Sequence, residues 1–331
     1  MWFASLVGFP EENPDQVRSN LELDGTTLRS LANGRELNCG RLEIPSLAEL
    51  RQEVADLSLD EKPNSVREWV GDVRALHADP EHAGALFQVA SQFNLLEMMH
   101  PSVPPERGID IYERDRTQGP ACAMCCGGAT IYRNYFVSVG DRIGQTADNQ
   151  IDCITELGIA LGNTDNKYWK TENGYALPSA EGLAAISNQL SNASEDELES
   201  LRGLLRIGVQ WDAGVTLDGA QHTVSQAFCS ALPVAYSTEH APLWEPFARL
   251  VLEAAYEASL ACAAMNAARA RGTSNRVFLT QLGGGAFGNE PVWIIDAITR
   301  AVRRCTNAGL DIVIVSYGQS LECIQELITE L

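Results

Sequence analysis

The chain has 331 residues, enough for one large domain or two ordinary ones, and 45% of them are hydrophobic, so a sizeable core is expected and wholesale disorder is not. A formal charge of −20 repels phosphate backbones and argues against a nucleic-acid-binding face, yet allows one small anion held by backbone amides. The opening M-W-F-A-S-L-V-G-F-P-E-E lacks a basic stretch before its short apolar run, and no run approaches the ~18 apolar residues of a membrane span. Neither a secretory signal nor membrane contact is therefore read, and the location expected is cytoplasmic. The nine scattered cysteines read as reduced, buried thiols.

In chain order, residues 2–8 read as a first strand. Residues 21–44 read as short strands with turns at Asp24-Gly25 and Asn33-Gly34. Ser46, with Glu49 three residues on, predicts a capped helix start, and residues 73–80 read as an edge element ending at Pro80. A buried strand is expected over 84–94, followed by a loop rich in proline and charge over 100–120 and a glycine-tolerant helix start at C-A-M-C-C-G-G. The more polar stretch 141–220 carries helices at 180–191 and 194–204, the second opening on Ser194 with Glu195 and Asp196 in its first turn. Residues 227–236 read as a buried strand, 243–270 as a long Ala-rich helix after Pro246, and 277–282 as a strand. A helix over 291–305 should bury Trp293, Ile294, Ala297, Ile298, Ala301 and Val302, and a strand at 311–317 and a closing helix complete the chain. Strand and helix alternate with crossovers long enough for parallel pairing, which is α/β architecture.

The glycine run L-G-G-G-A-F-G-N, 282–289, leaves a buried strand and enters a helix. In an open α/β sheet ligands bind at such a place, and successive N–H groups there make a nest for phosphate or diphosphate. G-x-G-x-x-G can be laid over Gly283, Gly285 and Gly288, but no second βαβ half follows. A Walker A lysine is replaced by Asn289-Glu290. The alternative is a tight turn with glycines for close packing.

The order of Ala-rich helix, V-F-L-T-Q-L-G-G-G-A-F-G-N, a helix with W-I-I-D-A-I, and D-I-V-I-V-S-Y resembles the C-terminal βαβ unit of macrodomains. It is most similar to microbial-type poly(ADP-ribose) glycohydrolases. The resemblance implies a three-layer α/β/α mixed sheet and ADP-ribose or an ADP-ribosylated substrate as partner, with no cofactor or metal. By it Gly283, Gly284, Gly285, Ala286, Gly288 and Asn289 hold the diphosphate, Phe287 lies against a ribose, Tyr317 stands near the pocket, and Val234 flanks the adenosine half. It covers about 84–136 and 222–320. Residues 1–80 are expected to form a β-rich and helical extension packed on a core spanning 81–331, or to extend its sheet with their strands, with a helical insertion at about 141–220.

The other half of such a site follows Q-V-A-S-Q-F-N, 88–94, where Gln92 would face the ligand and Asn94 would hold the distal ribose; equally, Asn94 caps the next turn. The Gln-Glu-Glu catalytic stretch of the glycohydrolases is missing, because Cys125, Cys126, Gly127 and Gly128 stand where the glutamates would fall. Glu113, Asp115 and Glu97 are the available substitutes: any of them could protonate a leaving group if held in a dry pocket. Asp115, Thr117, Gln118, Gly119 and Pro120 form a fixed turn expected to face the ligand, while E-R-D-R also reads as a solvated charge run. Cys122, Cys125 and Cys126 invite a zinc reading, but small buried residues in a helix account for them, as does a thiol activated at a helix N-terminus. No G-x-S-x-G elbow accompanies His222, which reads as a strand-entry residue. W-K-T-E-N-G-Y-A, 169–176, reads as a turn with exposed aromatics. Two further readings stand beside hydrolysis of ADP-ribosyl linkages: a non-catalytic ADP-ribose reader, and an acidic scaffold for a protein partner.

Overall fold

The structure is a computed structural model describing residues 1–57, 62–269, 274–305 and 307–331. Its centre is a seven-stranded mixed sheet: β1 (Arg41–Glu43), β2 (Ser65–Val70), β3 (Leu86–Ala90), β4 (Gly208–Gly214), β5 (Thr223–Cys229), β6 (Arg276–Leu279) and β7 (Asp311–Ser316). The spatial order is β1-β4-β5-β3-β6-β7-β2. β4 runs antiparallel to β1 and β5, and the pairs β5–β3, β3–β6, β6–β7 and β7–β2 are all parallel. Five adjacent strands, β5, β3, β6, β7 and β2, therefore end on one side of the sheet, and β3 is the central strand of the seven.

Alternate side chains of β3 show both faces covered, as parallel strands require. Phe87 stacks on His77 of the helix Val73–Ala78, with ring centroids 3.7 Å apart. Its neighbour Gln88 points the other way and donates from Nε2 to Ser259 Oγ at 2.9 Å. Ser259 belongs to α2 (Ala241–Arg269), the crossover from β5 to β6. The first face also carries α1 (Gln118–Cys125), whose Cys122 carbonyl accepts from Gln226 Nε2 of β5 at 3.0 Å. The second adds α3 (Pro291–Arg304), which buries Trp293, Ile294, Ala297, Ile298, Ala301 and Val302 as its 3.6-residue period predicts.

The N-terminal segment extends this sheet at both edges. β1 and β2 lie before residue 80 and form the sheet's two edges, and β4 comes from the stretch 141–220. Phe3, Leu6, Val7, Phe9 and Val17 build a second hydrophobic cluster with Leu96, Ile109, Ile111, Tyr112 and Tyr135. Ser46 and Ser194 each close a capping box, with Glu49 and Glu197 respectively. Gly25 and Gly34 take left-handed backbone at the two predicted hairpin turns.

Several elements differ from expectation. Residues 2–8 hold the helix Trp2–Val7, because Phe3, Leu6 and Val7 need one face and not two. Val73–Ala78 is a helix capped by the Asp72 side chain, not an edge element. The predicted strand 84–94 is β3 alone, since Leu95 at φ 64 reverses the chain. The strand read at 227–236 is shifted forward to 223–229, and Val234–Tyr236 is a 3-10 turn. α2 begins before Pro246 and holds it in its second turn. Ala270, the end predicted for that helix, lies outside the described residues. His222 enters β5 as read, with Nε2 2.9 Å from the His77 carbonyl oxygen.

Candidate functional site

A cleft of about 220 Å³ opens at the carboxyl ends of β3, β5 and β6. Ser91 and Gln92 follow β3, Ala231 follows β5, and Thr280–Gly283 follow β6. Gly285–Phe287 and Asp115–Pro120 close two sides.

The ends of the strands are fixed from behind. Tyr256 of α2 donates its hydroxyl to the Thr280 carbonyl at 2.6 Å and accepts the Leu282 N–H at 2.9 Å, so one side chain sets the exit of β6. The glycine loop then folds on itself. Asn289 N–H donates to the Gly283 carbonyl at 2.9 Å, Gly284 N–H to Gln281, and Gly288 N–H to Gly285. Gly283 (φ 74) has Ala231 Cβ 2.4 Å from where its own Cβ would stand, and Gly288 (φ 69) has Ala235 Cβ at 2.8 Å, so both need glycine. Gly285 has open space around it. Among the described residues, the N–H groups of Gly285, Ala286 and Phe287 have no acceptor.

The opposite wall is the start of α1. Gln118 Oε1 accepts the Ala90 N–H and Nε2 donates to the Gln88 carbonyl, both at 2.9 Å, which ties the helix to β3. A Cβ on Gly119 would lie 2.0 Å from the Ala90 carbonyl oxygen, so the helix approaches the strand this closely only with glycine there. Asp115 lines the cleft, and its Oδ1 accepts from both the N–H and the hydroxyl of Thr117, at 2.8 and 2.7 Å.

Three aromatic rings form the remaining wall. Tyr175 lies 5.5 Å from Tyr236 and 5.3 Å from Phe287, and Tyr236 meets Phe287 edge-on at 5.8 Å, all centroid to centroid. Tyr175 donates its hydroxyl to the Met98 carbonyl at 2.6 Å and is buried; Tyr236 is exposed.

Glu97 is the titratable group with the most unusual surroundings. It lines the cleft and is 2% exposed. Its Oε1 is 3.4 Å from Nη2 of the fully buried Arg133, while Oε2 and Arg133 Nη1 have no partner among the described residues. Burial raises the carboxyl to about 7 against the opposing pull of Arg133 and Tyr112.

The structure thus brings together Gln92, Glu97, Asp115, Thr117, Gln118, Gly119, Pro120, Gly283, Gly285, Ala286 and Phe287 around one cleft. It does not bring in the rest. Glu113 accepts the Trp2 N–H at 2.5 Å and faces the N-terminus. Asn94 is wholly buried: Nδ2 donates to Gln150 and Oδ1 accepts the Leu96 N–H, so the turn-forming reading is the one observed. Val234 is buried in its 3-10 turn, Gly284 points at Ile294, and Gly288 packs on Ala235. Asn289 braces the loop from behind, and Tyr317 is 84% exposed away from the cleft. Tyr175, Tyr236, Met98, Met99, Thr280 and Gln281 line the cleft without having been foreseen. Trp169 and Tyr175, read as exposed aromatics of a turn, are buried in the hairpin 169–178. Of these, Tyr236 had a usable signal, since it ends a predicted strand on the ligand side of the sheet.

The cysteines at 122, 125 and 126 are buried, and burial raises their thiols, Cys126 to about 12, so the activated-thiol reading is overturned. Among the described residues no group of three or more His, Cys, Asp or Glu side chains is placed to hold a metal ion, and no helix is long and apolar enough to cross a membrane.

No protein-family model matches the chain, and no curated protein is significantly similar to it. Among solved structures, the poly(ADP-ribose) glycohydrolase of Thermomonospora curvata is 11% identical with a TM-score of 0.48, over 99% of this chain and 97% of that one. The same enzyme has been seen bound to the inhibitor ADP-HPD. The glycohydrolase of Deinococcus radiodurans in complex with ADP-ribose is 11% identical with a TM-score of 0.45, over 87% of this chain and 94% of that one.

Proposed function

We propose that this chain binds ADP-ribose or a closely related nucleoside diphosphate sugar in the cleft at the ends of β3, β5 and β6. The observation that carries the reading is the run of three acceptor-free amides, Gly285 to Phe287, on the same cleft as the rings of Tyr175, Tyr236 and Phe287. Among the described residues no lysine or arginine lines the cleft, so an anion there relies on backbone dipoles, an arrangement that accepts diphosphate in a strongly acidic protein. The rings supply a stacking surface for a base or a sugar face. Gln92, Thr117, Gln118, Gly119 and Pro120 make the wall facing the diphosphate loop, which leaves the ribose beside Glu97 and Asp115. This is also the ligand that the resemblance of G-G-G-A-F-G-N implies. Its nine unpaired cysteines fit a cytoplasmic, reducing compartment.

Isothermal titration calorimetry with ADP-ribose tests the proposal. Saturable one-to-one binding, weakened at least tenfold by Phe287→Ala, is expected. No heat with ADP-ribose and no displacement by ADP or AMP would leave the glycine loop as a structural turn only.

A further inference from the structure

We propose that β2 is a self-association edge, on which a second copy of this chain adds its own β2 antiparallel about a two-fold axis. Among the described residues β2 is the last strand of the sheet, bonded to β7 on one side only. The Ser65 N–H donates to the Leu310 carbonyl at 2.8 Å, and the Gly71 N–H to the Ser316 carbonyl at 2.9 Å. The two-residue alternation of a strand then turns the N–H groups of Arg67 and Trp69 toward β7 as well, and those of Val66, Glu68 and Val70 outward. None of these three has an acceptor among the described residues. Trp69 and Val70 beside them are 42% and 45% exposed. A row of free backbone groups flanked by exposed apolar side chains is a template for another strand.

The occupant follows from the strand's own sequence, S-V-R-E-W-V. Laid antiparallel on itself with Glu68 on the axis, it sets Val66 opposite Val70 and Arg67 opposite Trp69, each pair occurring twice. The three outward N–H groups of each copy all find a carbonyl, three from each side and six hydrogen bonds together. Arg67 and Trp69 meet at the closer, non-hydrogen-bonded positions, where side chains interact best. Asp311 already holds the Arg67 guanidinium, at 3.0 and 2.9 Å, and its carbon lies 5.9 Å from the Trp69 ring of the same chain, so the second copy extends a cation–π contact. The neighbouring registers are worse. With Arg67 on the axis, guanidinium faces guanidinium at the close position. With Trp69 on the axis, Val66 falls opposite Asp72, which lies beyond the strand and caps the helix Val73–Ala78, and two of the six bonds are lost.

The like-charge pair on the axis is Glu68, and each copy satisfies it internally. Its Oε1 accepts from Ser316 Oγ and the Leu321 N–H, and its Oε2 from Ser320 Oγ and Gln325 Nε2, so both oxygens turn toward the chain's own helix Glu322–Glu330. The net charge of −20 on each copy opposes the meeting, which makes the pairing tighten as salt rises. β7 separates β2 from the strands of the cleft, so each copy keeps its cleft open and the two clefts face opposite ends of one continuous sheet.

Sedimentation velocity over a range of protein and salt concentrations tests the pairing in wild type, Trp69→Lys and Val66→Pro. A reversible monomer–dimer equilibrium, tightened by salt, is expected. Trp69→Lys puts like charges where two Arg67–Trp69 contacts stood, and should raise the dissociation constant at least about tenfold. Val66→Pro removes one outward N–H from each copy and no bond to β7, and should raise it about tenfold. Trp69→Lys alters an exposed side chain, so it reads the interface even where the proline variant fails to fold. Register is read by mixing Arg67→Cys chains with Trp69→Cys chains under a mild oxidant. The mixture should cross-link above the wild-type background and neither variant alone should, because only the mixture brings the two thiols opposite each other. A wild type that stays monomeric throughout, a dimer unchanged by Trp69→Lys or by a folded Val66→Pro, or a mixture that cross-links no better than its parts would each overturn the pairing. ADP-ribose affinity reports on the cleft separately and should stay within about threefold in every variant, since the two sites are far apart.

Discussion

Asn289 donates from Nδ2 to the Leu232 carbonyl at 2.8 Å, joining the far end of the glycine loop to the segment that leaves β5. The same amide reaches the Gly283 carbonyl at 3.3 Å, and the Asn289 N–H makes a second bond to that carbonyl. One buried side chain therefore closes the loop on itself and docks it against the neighbouring strand's exit. The Ala235 N–H adds a further tie to the Phe287 carbonyl at 2.9 Å.

Asn289→Ala should cost about 1–3 kcal/mol, because it removes two buried hydrogen bonds, to the Leu232 and Gly283 carbonyls, although each carbonyl keeps one backbone donor. The loop amides would then no longer be held in one arrangement, and ADP-ribose affinity should fall at least tenfold. Urea unfolding and calorimetry on the same preparation check both effects. An unchanged unfolding midpoint would show that the bond is not a structural tie.

Glycines on the two walls of the cleft should behave in opposite ways. Gly119→Ala sets a methyl group 2.0 Å from a backbone oxygen that cannot move without β3, and should cost about 1–3 kcal/mol or more. Gly285→Ala meets nothing within 4 Å and needs no left-handed backbone, so stability should stay within about 0.5 kcal/mol. That methyl stands beside the free amides, so ADP-ribose affinity should drop at least tenfold. A destabilised Gly285→Ala, or one that binds like wild type, would contradict the proposed diphosphate cradle.

How much of this was legible follows from how local each signal is. The buried face of α3 is written every three or four residues between Trp293 and Val302, and the glycine loop is one continuous stretch; both were readable. Tyr175 reaches the cleft on a hairpin more than a hundred residues from Phe287, and nothing near it in sequence says so. The different surroundings of Glu97, Asp115 and Glu113 could not be read either, because the burial of Glu97 against Arg133 and Gly119 is a product of tertiary packing. The helix Trp2–Val7 was misread for a related reason: six apolar-rich residues fit either period until their partners are known.

Glu257 on α2 should be a measurable source of acid sensitivity. It pairs with Arg51 at 2.6 Å and Arg300 at 2.7 Å, and joins the helix Leu47–Ala55 to α3. Burial alone would raise its carboxyl, but these guanidinium groups outweigh that and hold it at about 2. A depressed carboxyl stabilises the fold above its unfolded value of 4.5 and loses that contribution as pH falls toward 2. Glu257→Gln should cost about 3 kcal/mol at pH 7 and correspondingly less near pH 2.5. Chemical denaturation at the two pH values checks this, and an equal cost at both would rule out the charge as its source.

His77 should produce a second pH dependence, in a higher window. Its Nδ1 lies 2.8 Å from the Val73 carbonyl oxygen and must donate to it, and Nε2 then accepts from Gln226 Nε2 at 3.2 Å. The ring is therefore held neutral; a second proton would point at an N–H group, in a site stacked on Phe87. Burial, with His222 and His82 adding repulsion, lowers it to about 4. A lowered histidine means that the unfolded chain takes up the proton first, so stability is fully present above about 6.5 and is lost as pH falls toward 4, by about 1.4 kcal/mol per unit. Glu97 acts with the opposite sign between 4.5 and about 7, because its raised carboxyl makes the folded state the better proton binder there. The net slope of the wild type thus mixes the two, and only a difference isolates His77. His77→Phe keeps a ring against Phe87 and should lower stability at pH 7.5, since Val73 and Gln226 each lose one hydrogen bond. Between pH 6.5 and 4 its stability should then fall less steeply than that of the wild type, by about one proton's worth of slope. Parallel urea-unfolding curves for the two proteins across that window would show that the histidine is not the titrating group.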